Sequence, residues 1–214
     1  MKWMELYCKL VFNTISDEEL FELAYELWEL LKEYFENNIP YPLFDKETIK
    51  KLTEMEHDIN FFVDYVAYKI YGPYWKPDDL DEIFREYLEK VERGELPKDP
   101  VLTKLEEILG YVDPEDIRKI REFLNWFDHN ERKLWEAWVN LDDFMNDTNR
   151  GFDRRWLIIA IEKVVNAIHQ APAEYVELII NYRKDVKEFL DALYFGKFKD
   201  VRECIRYVKT RKKD

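Results

Sequence analysis

Glycine is rare in this chain: only 5 of 214 residues are glycine, and most of them stand near prolines in short clusters. A sheet protein rich in tight turns uses more glycine, because the common hairpin turns need left-handed backbone. Between the clusters, apolar residues recur three and four positions apart, as on one side of a helix. The sequence therefore predicts an all-α protein, an irregular globular helical bundle of about eight or nine helices with short connections.

Capping signals place several of the helix starts. Ser16 and Glu19 have the spacing of a capping box, and Asp45 is a predicted N-cap. Residues 3–12 also alternate like a strand, but no other segment offers a partner strand, so we assign them to a helix. A single long helix is predicted between 45 and 70, because its apolar stripe runs without a break. Further helices are predicted over 79–93, 100–110, 114–128, 131–147, 154–170, 173–195 and 198–210.

We expect a single helical domain over residues 1–214, with 93–100 as the place for a subdomain boundary if there are two. The apolar runs, such as 156–161, are far shorter than the roughly 20 residues that a membrane span needs. Charged residues interrupt the apolar stretch at the N-terminus, which is unlike a signal peptide. These features predict a soluble cytoplasmic protein that makes no membrane contact.

The composition also indicates a habitat. Glutamine occurs once, whereas glutamate and lysine together supply 48 residues, a bias typical of hyperthermophile proteins. Cys8 and Cys204 stand near opposite ends of the chain, and a disulfide between them is conceivable in such an organism. We favour two ordinary buried thiols, because unpaired cysteine is among the residue types most often found in protein cores.

The net charge of −13 is unevenly distributed along the chain. Residues 197–214, a predicted basic helix and tail, carry +5, so residues 1–196 carry −18. The body of the protein would repel nucleic acid, and any contact with phosphates is confined to this end. We favour the alternative, in which these bases only complement the acidic bundle and the dipole of their own helix, because no Gly-Arg repeat or recognition-helix motif supports nucleic-acid binding. The candidate contacts for nucleic acid or an acidic partner are Lys199, Arg202, Arg206, Lys209 and Lys213.

Two of the three histidines stand at helical spacing from polar residues that can bind metals. Glu54 and His57 form an E-x-x-H pattern, and Glu162 and His169 are seven residues apart on one side of a later segment. Facing helices that carry carboxylates and imidazoles bind two metal ions in di-iron bundles. The match is partial, because the second motif here has Asn166 where such a site uses glutamate. The alternative is that both histidines are ordinary hydrogen-bonded groups between helices.

Two proline-containing loops carry large aromatic side chains. Tyr41 and Phe44 lie in the first loop, and Tyr74 and Trp75 lie in the second. If exposed, these rings would be suitable anchors for a partner protein. We favour the opposite interpretation, in which the rings are buried and cover the ends of the bundle.

The sequence contains no phosphate-binding glycine loop and no nucleophile motif, so it offers no catalytic or cofactor-binding residues. The leading hypothesis is a non-enzymatic helical interaction or accessory protein of a thermophilic prokaryote, plasmid or virus. It would present an acidic, aromatic-rich surface to a protein partner or to another copy of itself, without a cofactor. One alternative is a metal-binding bundle or enzyme using Glu54, His57, Glu162 and His169 with iron, manganese or zinc. A second is nucleic-acid contact through the C-terminal helix.

Overall fold

The protein is all-helical in the computed structural model, which describes residues 2–38, 44–147, 151–172, 176, 179 and 184–211. These residues form eleven α-helices, more than the eight or nine predicted, and contain no strand. A 3₁₀ turn, Pro77–Asp79, precedes α5. The helices are α1 (Lys2–Val11), α2 (Asp17–Asn38), α3 (Lys46–Glu54), α4 (Glu56–Tyr71), α5 (Leu80–Glu92), α6 (Pro100–Leu109), α7 (Pro114–Asn130), α8 (Arg132–Asn146), α9 (Arg154–Gln170), α10 (Lys184–Tyr194) and α11 (Val201–Thr210).

Local signals set many of the helix ends, as predicted. Ser16 and Glu19 cap α2 reciprocally, since each backbone amide donates to the other side chain. Asp45 accepts a hydrogen bond from the Thr48 amide at 2.7 Å and caps α3. Gly110 ends α6 with a φ of +79°, a left-handed conformation that glycine adopts without steric cost. These ends follow from short-range chemistry, which is why the sequence alone locates them.

The single helix predicted between 45 and 70 is wrong, because the chain breaks at Met55 into α3 and α4. The Thr53 hydroxyl donates to the carbonyl oxygens of Ile49 and Lys50, both at 2.9 Å. Back-bonding of this kind competes with the helical hydrogen-bond ladder and bends helices. The apolar stripe continues across the break, so the periodicity of the sequence does not reveal it.

The chain divides into two compact units. The first unit combines residues 1–39 with 132–214, and the second unit is continuous over 40–131. The suggested boundary at 93–100 lies inside the second unit, between α5 and α6.

In the first unit, α8 packs on α9, and α2 packs against both. Aromatic rings fill the space between α2 and α8, where the centroids of Phe35 and Trp135 are 5.0 Å apart. Trp28 donates from its indole nitrogen to the buried carboxylate of Asp142 at 2.6 Å, which gives this polar core group a partner. The N-terminal helix α1 packs against α2 and α11.

A disulfide joins Cys8 on α1 to Cys204 on α11, and both residues are fully buried. The favoured interpretation of two free thiols is therefore wrong. The two residues are 196 positions apart in the sequence, and only the packing of α1 on α11 brings their Cα atoms to 5.9 Å. No local pattern could have predicted this pairing.

In the second unit, α5 packs against α4 and α7, and α3 contacts α4, α6 and α7. Its core includes Phe62, Phe84 and Tyr87, whose ring centroids lie 5.6 to 6.0 Å apart. These side chains come from α4 and α5. The described residues of this unit do not cover the opposite side of α4.

Candidate functional site

The uncovered side of α4 carries a row of exposed aromatic side chains, which we call the aromatic face: Phe61, Tyr65, Tyr68 and Tyr71. Each is between 49% and 68% exposed. The four follow one another at intervals of four, three and three residues, the spacing that keeps side chains on one side of a helix. Buried residues such as Phe62 and Val66 hold the other side of α4 in the core.

The aromatic face exposes far more apolar area than a single surface residue would. A fully exposed ring side chain offers about 200 Å², so these four expose roughly 470 Å² together. The largest apolar patch of a soluble monomer is usually about 300 to 600 Å² and is often functional, so the aromatic face is a candidate interaction site. Phe61 and Tyr65 lie nearly parallel, with ring centroids 6.3 Å apart, so the face begins with two stacked rings.

The surroundings of the aromatic face are acidic. The second unit contains 23 acidic and 13 basic residues, a net charge of −10. Asp58 and Asp64 are both exposed and stand three residues before and after Phe61 on the same helix. Asp64 also accepts a hydrogen bond from Arg121 at 2.7 Å. Asp64 is thus paired with Arg121, and a basic ligand of the aromatic face meets the carboxylate of Asp58 beside Phe61, within a unit whose net charge attracts cations.

Rings in this unit already bind cations. The Lys69 ammonium lies 5.6 Å from the ring centroid of Tyr65, and the Arg121 guanidinium lies 5.5 Å from that of Trp75. Both distances fall within the range of cation–π attraction. The arrangement shows that the electron-rich faces of these rings are accessible to ammonium and guanidinium groups.

A small cleft of about 210 Å³ lies beside the aromatic face, and Tyr65 forms part of its wall. Val66, Ile70 and Pro97 contribute apolar surface to it. The Tyr87 hydroxyl, also in the cleft, accepts a hydrogen bond from the Asp99 amide at 3.2 Å, and burial raises the pKa of this phenol. The cleft can accommodate one aliphatic side chain next to the exposed rings.

The predicted aromatic partner residues have different surroundings. Tyr74 is 88% exposed, so the favoured buried interpretation is wrong for this residue. Trp75 and Phe44 are half-buried, Trp75 under the Arg121 guanidinium and Phe44 against the ring of Phe123 at 5.6 Å. Tyr41 lies outside the described residues.

The four predicted metal ligands divide between the two units. Glu54 ends α3 and His57 stands in the first turn of α4, so the break at Met55 removes them from one continuous helix face. Glu162 and His169 lie on α9 in the first unit. Over the ranges the structure describes, no group of three or more histidine, cysteine, aspartate or glutamate residues could hold a metal ion.

His169 belongs instead to a polar network between α9 and α10. Its Nε2 atom lies 2.7 Å from the Asp191 carboxylate, and its ring makes an edge contact with Tyr194. The Tyr194 hydroxyl donates to the Asn166 amide oxygen at 2.6 Å, and it lies 3.0 Å from the Tyr7 hydroxyl. This agrees with the alternative that His169 is a hydrogen-bonded group between helices.

The basic residues of the C-terminal helix remain at the surface. Lys199, Arg202, Arg206 and Lys209 are all exposed, whereas Cys204 and Val208 hold the other side of α11 in the core. The fifth predicted contact, Lys213, lies outside the described residues.

No protein-family model, curated protein or solved structure matches this chain. Among the helices described above, none is both long and apolar enough to cross a membrane.

The sequence interpretation missed the aromatic face. It identified the apolar stripe of α4 that enters the core, including Ile59, Phe62 and Val66, and these residues are buried. A second stripe on the opposite side, beginning at Phe61 and Tyr65, was the signal available. An aromatic pattern on both sides of one helix indicates either a fully buried helix or an exposed binding surface.

Proposed function

We propose that this chain is a non-enzymatic interaction protein, and that its aromatic face binds a partner protein carrying lysine and arginine residues. The observation that carries the proposal is the row of four exposed rings on one side of α4 in a unit of net charge −10. Aromatic side chains dominate the binding energy of many interfaces, and they lose little conformational entropy on binding.

Charge favours a basic partner over a second copy. Two copies of a chain with a net charge of −13 repel each other, and the charge is concentrated in the unit that carries the aromatic face. A basic segment would instead place its cations near Asp58 and over the rings, as Lys69 lies over Tyr65. An aliphatic side chain of the same segment would fit the neighbouring cleft.

The test uses a labelled amphipathic helical peptide of leucine and lysine, with a leucine–glutamate peptide as the opposite-charge probe. We expect the full chain to bind the lysine peptide and not the glutamate peptide in fluorescence anisotropy. Replacing two rings, Phe61→Ser with Tyr68→Ser, should weaken binding about 30-fold or more, because a central aromatic residue of an interface contributes about 2 kcal/mol or more. Tyr111→Ser is the matched control, since Tyr111 is 83% exposed in the same unit but lies outside α4.

The salt dependence of association distinguishes binding of a basic partner from self-association. Binding of a basic partner weakens as salt screens the opposite charges, whereas association of two acidic copies strengthens. Sedimentation velocity at low and high salt measures the second process directly. The proposal would be contradicted if the lysine peptide bound equally to the wild type and to the α4 double variant. It would also be contradicted if the chain formed dimers and the double variant abolished them.

We also propose a cytoplasmic location in a thermophilic host. Cytoplasmic proteins of most organisms keep their cysteines reduced, and hyperthermophiles are the exception. The glutamate- and lysine-rich composition supports such a host, and in that host the buried disulfide is compatible with a cytoplasmic location.

A further inference from the structure

A row of cations runs along the exposed side of the C-terminal helix. Arg202, Arg206 and Lys209 stand four and three residues apart on α11, and Lys199 stands just before the helix begins. We call these four residues the basic row. With a rise of 1.5 Å per residue, the three helical members span about 10 Å along the axis. That length suits two or three successive phosphates of a nucleic-acid strand.

The basic row forms no ion pair with the described residues of its unit. No carboxylate among the described residues lies within 4 Å of the charged groups of Lys199, Arg202, Arg206 or Lys209. Arg211, two residues after Lys209, does pair with Glu188. Among the described residues, therefore, no ion pair supports the interpretation that these bases complement an acidic bundle beneath them.

The two acidic residues at the start of α11 accept hydrogen bonds from backbone amides. Asp200 accepts a hydrogen bond from the Glu203 amide at 2.9 Å, and Glu203 accepts one from the Lys199 amide at 2.8 Å. Both carboxylates thus cap the helix N-terminus, where their charge is stabilised by the helix dipole. They are engaged there by backbone amides and form no ion pair with the basic row.

The helix that carries the row is held firmly in place. Cys204 is joined to Cys8 on α1, and Val208 is buried beneath the last turn. The first unit carries a net charge of −3, against −10 for the second, so its own repulsion of an anion is weak. The backbone that carries the basic row is consequently fixed, so the spacing of its Cα positions is set before a ligand binds.

Two phenylalanines, Phe195 and Phe198, precede the basic row in the sequence. Phe195, in the turn after α10, is 80% exposed. Phe198 and Arg206 line one groove of about 730 Å³ together with Lys197 and Tyr207, and the carboxylates of Glu188, Asp191 and Glu203 line it as well. Cations that follow a backbone, combined with exposed rings on which bases can stack, are the features of proteins that bind single-stranded nucleic acid.

We propose that this end of the first unit binds single-stranded nucleic acid without sequence preference. The guanidinium and ammonium groups of Arg202, Arg206 and Lys209 contact successive phosphates, and an unstacked base lies on the ring of Phe195. A duplex is disfavoured, because its paired and stacked bases cannot reach Phe195. This site is separate from the aromatic face of α4 and independent of the function proposed for it.

The experiment measures binding of the full chain to fluorescein-labelled oligo(dT) and oligo(U) by anisotropy over a series of salt concentrations. Arg202→Gln with Arg206→Gln should weaken binding about 10-fold or more at low salt. It should also reduce the slope of log K against log salt by about 1.4, since each lost phosphate contact on a single strand contributes about 0.7. The matched control is Arg85→Gln with Lys104→Gln, which removes two exposed cations of the second unit.

Phe195→Ala tests the stacking contact separately. Binding should weaken about 5-fold or more with an unchanged salt slope, because a ring contributes stacking and no charge. Tyr111→Ala serves as its control. All substituted residues are exposed, and circular dichroism with a melting curve checks that each variant is folded.

Four results would overturn the proposal. The first is the absence of oligo(dT) and oligo(U) binding at low salt, and the second is an equal loss of affinity in the Arg85 and Lys104 control. The third is equal affinity for a duplex of the same length. The fourth is tighter binding to phosphatidylglycerol vesicles than to the single strands. Loss of affinity confined to the Arg202 and Arg206 variant and to Phe195→Ala would support it.

Discussion

At the residue scale, Tyr7 shows how burial changes the chemistry of one side chain. Its ring is buried in the first unit, and its hydroxyl donates to that of Tyr194, which in turn donates to Asn166. Burial is the main reason that the pKa of Tyr7 is raised far above its ordinary value, and the hydrogen bond to Tyr194 adds to the effect. Tyr7 therefore stays neutral in the folded protein at any pH the protein tolerates.

This raised pKa predicts a specific loss of stability in alkali. The unfolded chain ionises Tyr7 near pH 10, whereas the folded chain does not, so the stabilisation is complete below pH 10 and declines above it. By pH 11 the contribution should fall by about 1.4 kcal/mol. Tyr7→Phe cannot ionise, so the stability difference between wild type and variant should shrink by that amount between pH 9 and 11. Guanidinium unfolding at several pH values measures it, and a constant difference would contradict the assignment.

At the element scale, α3 depends on a single N-cap because it has only nine residues. The Asp45 carboxylate accepts the Thr48 amide, and this backbone hydrogen bond is the main reason that the pKa of Asp45 is lowered. The cap is therefore fully effective above pH 4, and it weakens as the pH falls through the lowered pKa.

Replacing the cap should have a measurable and specific cost. We expect Asp45→Ala to destabilise the protein by about 1 kcal/mol at neutral pH, with a smaller difference near pH 2. Asp45→Asn is the matched control, because it keeps an oxygen that accepts the same amide. Thermal unfolding compares the three proteins, and an equal loss in both variants would indicate that charge, not capping geometry, determines the effect.

At the scale of the whole molecule, the disulfide connects two distant parts of the sequence within one unit. Cys8 and Cys204 close a loop that contains nearly the whole chain. Cross-linking such a loop removes a large part of the conformational entropy of the unfolded state, and the stabilisation grows slowly with loop length.

Removing the disulfide should therefore lower the stability of the first unit strongly. We expect Cys8→Ala with Cys204→Ala to cost about 2 to 5 kcal/mol and to lower Tm by several degrees or more. A reducing agent should lower the Tm of the wild type toward that of the variant and leave the variant unchanged. A wild type that loses no stability under reducing, denaturing conditions would contradict a stabilising role.

The predicted features that the structure confirms are local ones. The helical class, the cap at Asp45 and the capping box of Ser16 and Glu19 depend on residues within one or two turns of each other. The apolar stripe through Phe62 and Val66 likewise enters the core as its spacing indicates. Helical periodicity and capping chemistry are encoded in short windows, so a single sequence is enough to find them.

Features that involve distant residues were decided only by the tertiary structure. Pairing of Cys8 with Cys204 needs α1 and α11 to pack together, and the exposure of Phe61 and Tyr68 depends on which helices cover α4. The sequence predicts that α4 has an apolar side, but it does not state that a second apolar side stays uncovered. Local hydrogen bonding fixes the helices, whereas burial depends on the packing of residues far apart in the chain, and the proposed binding surfaces belong to this second group.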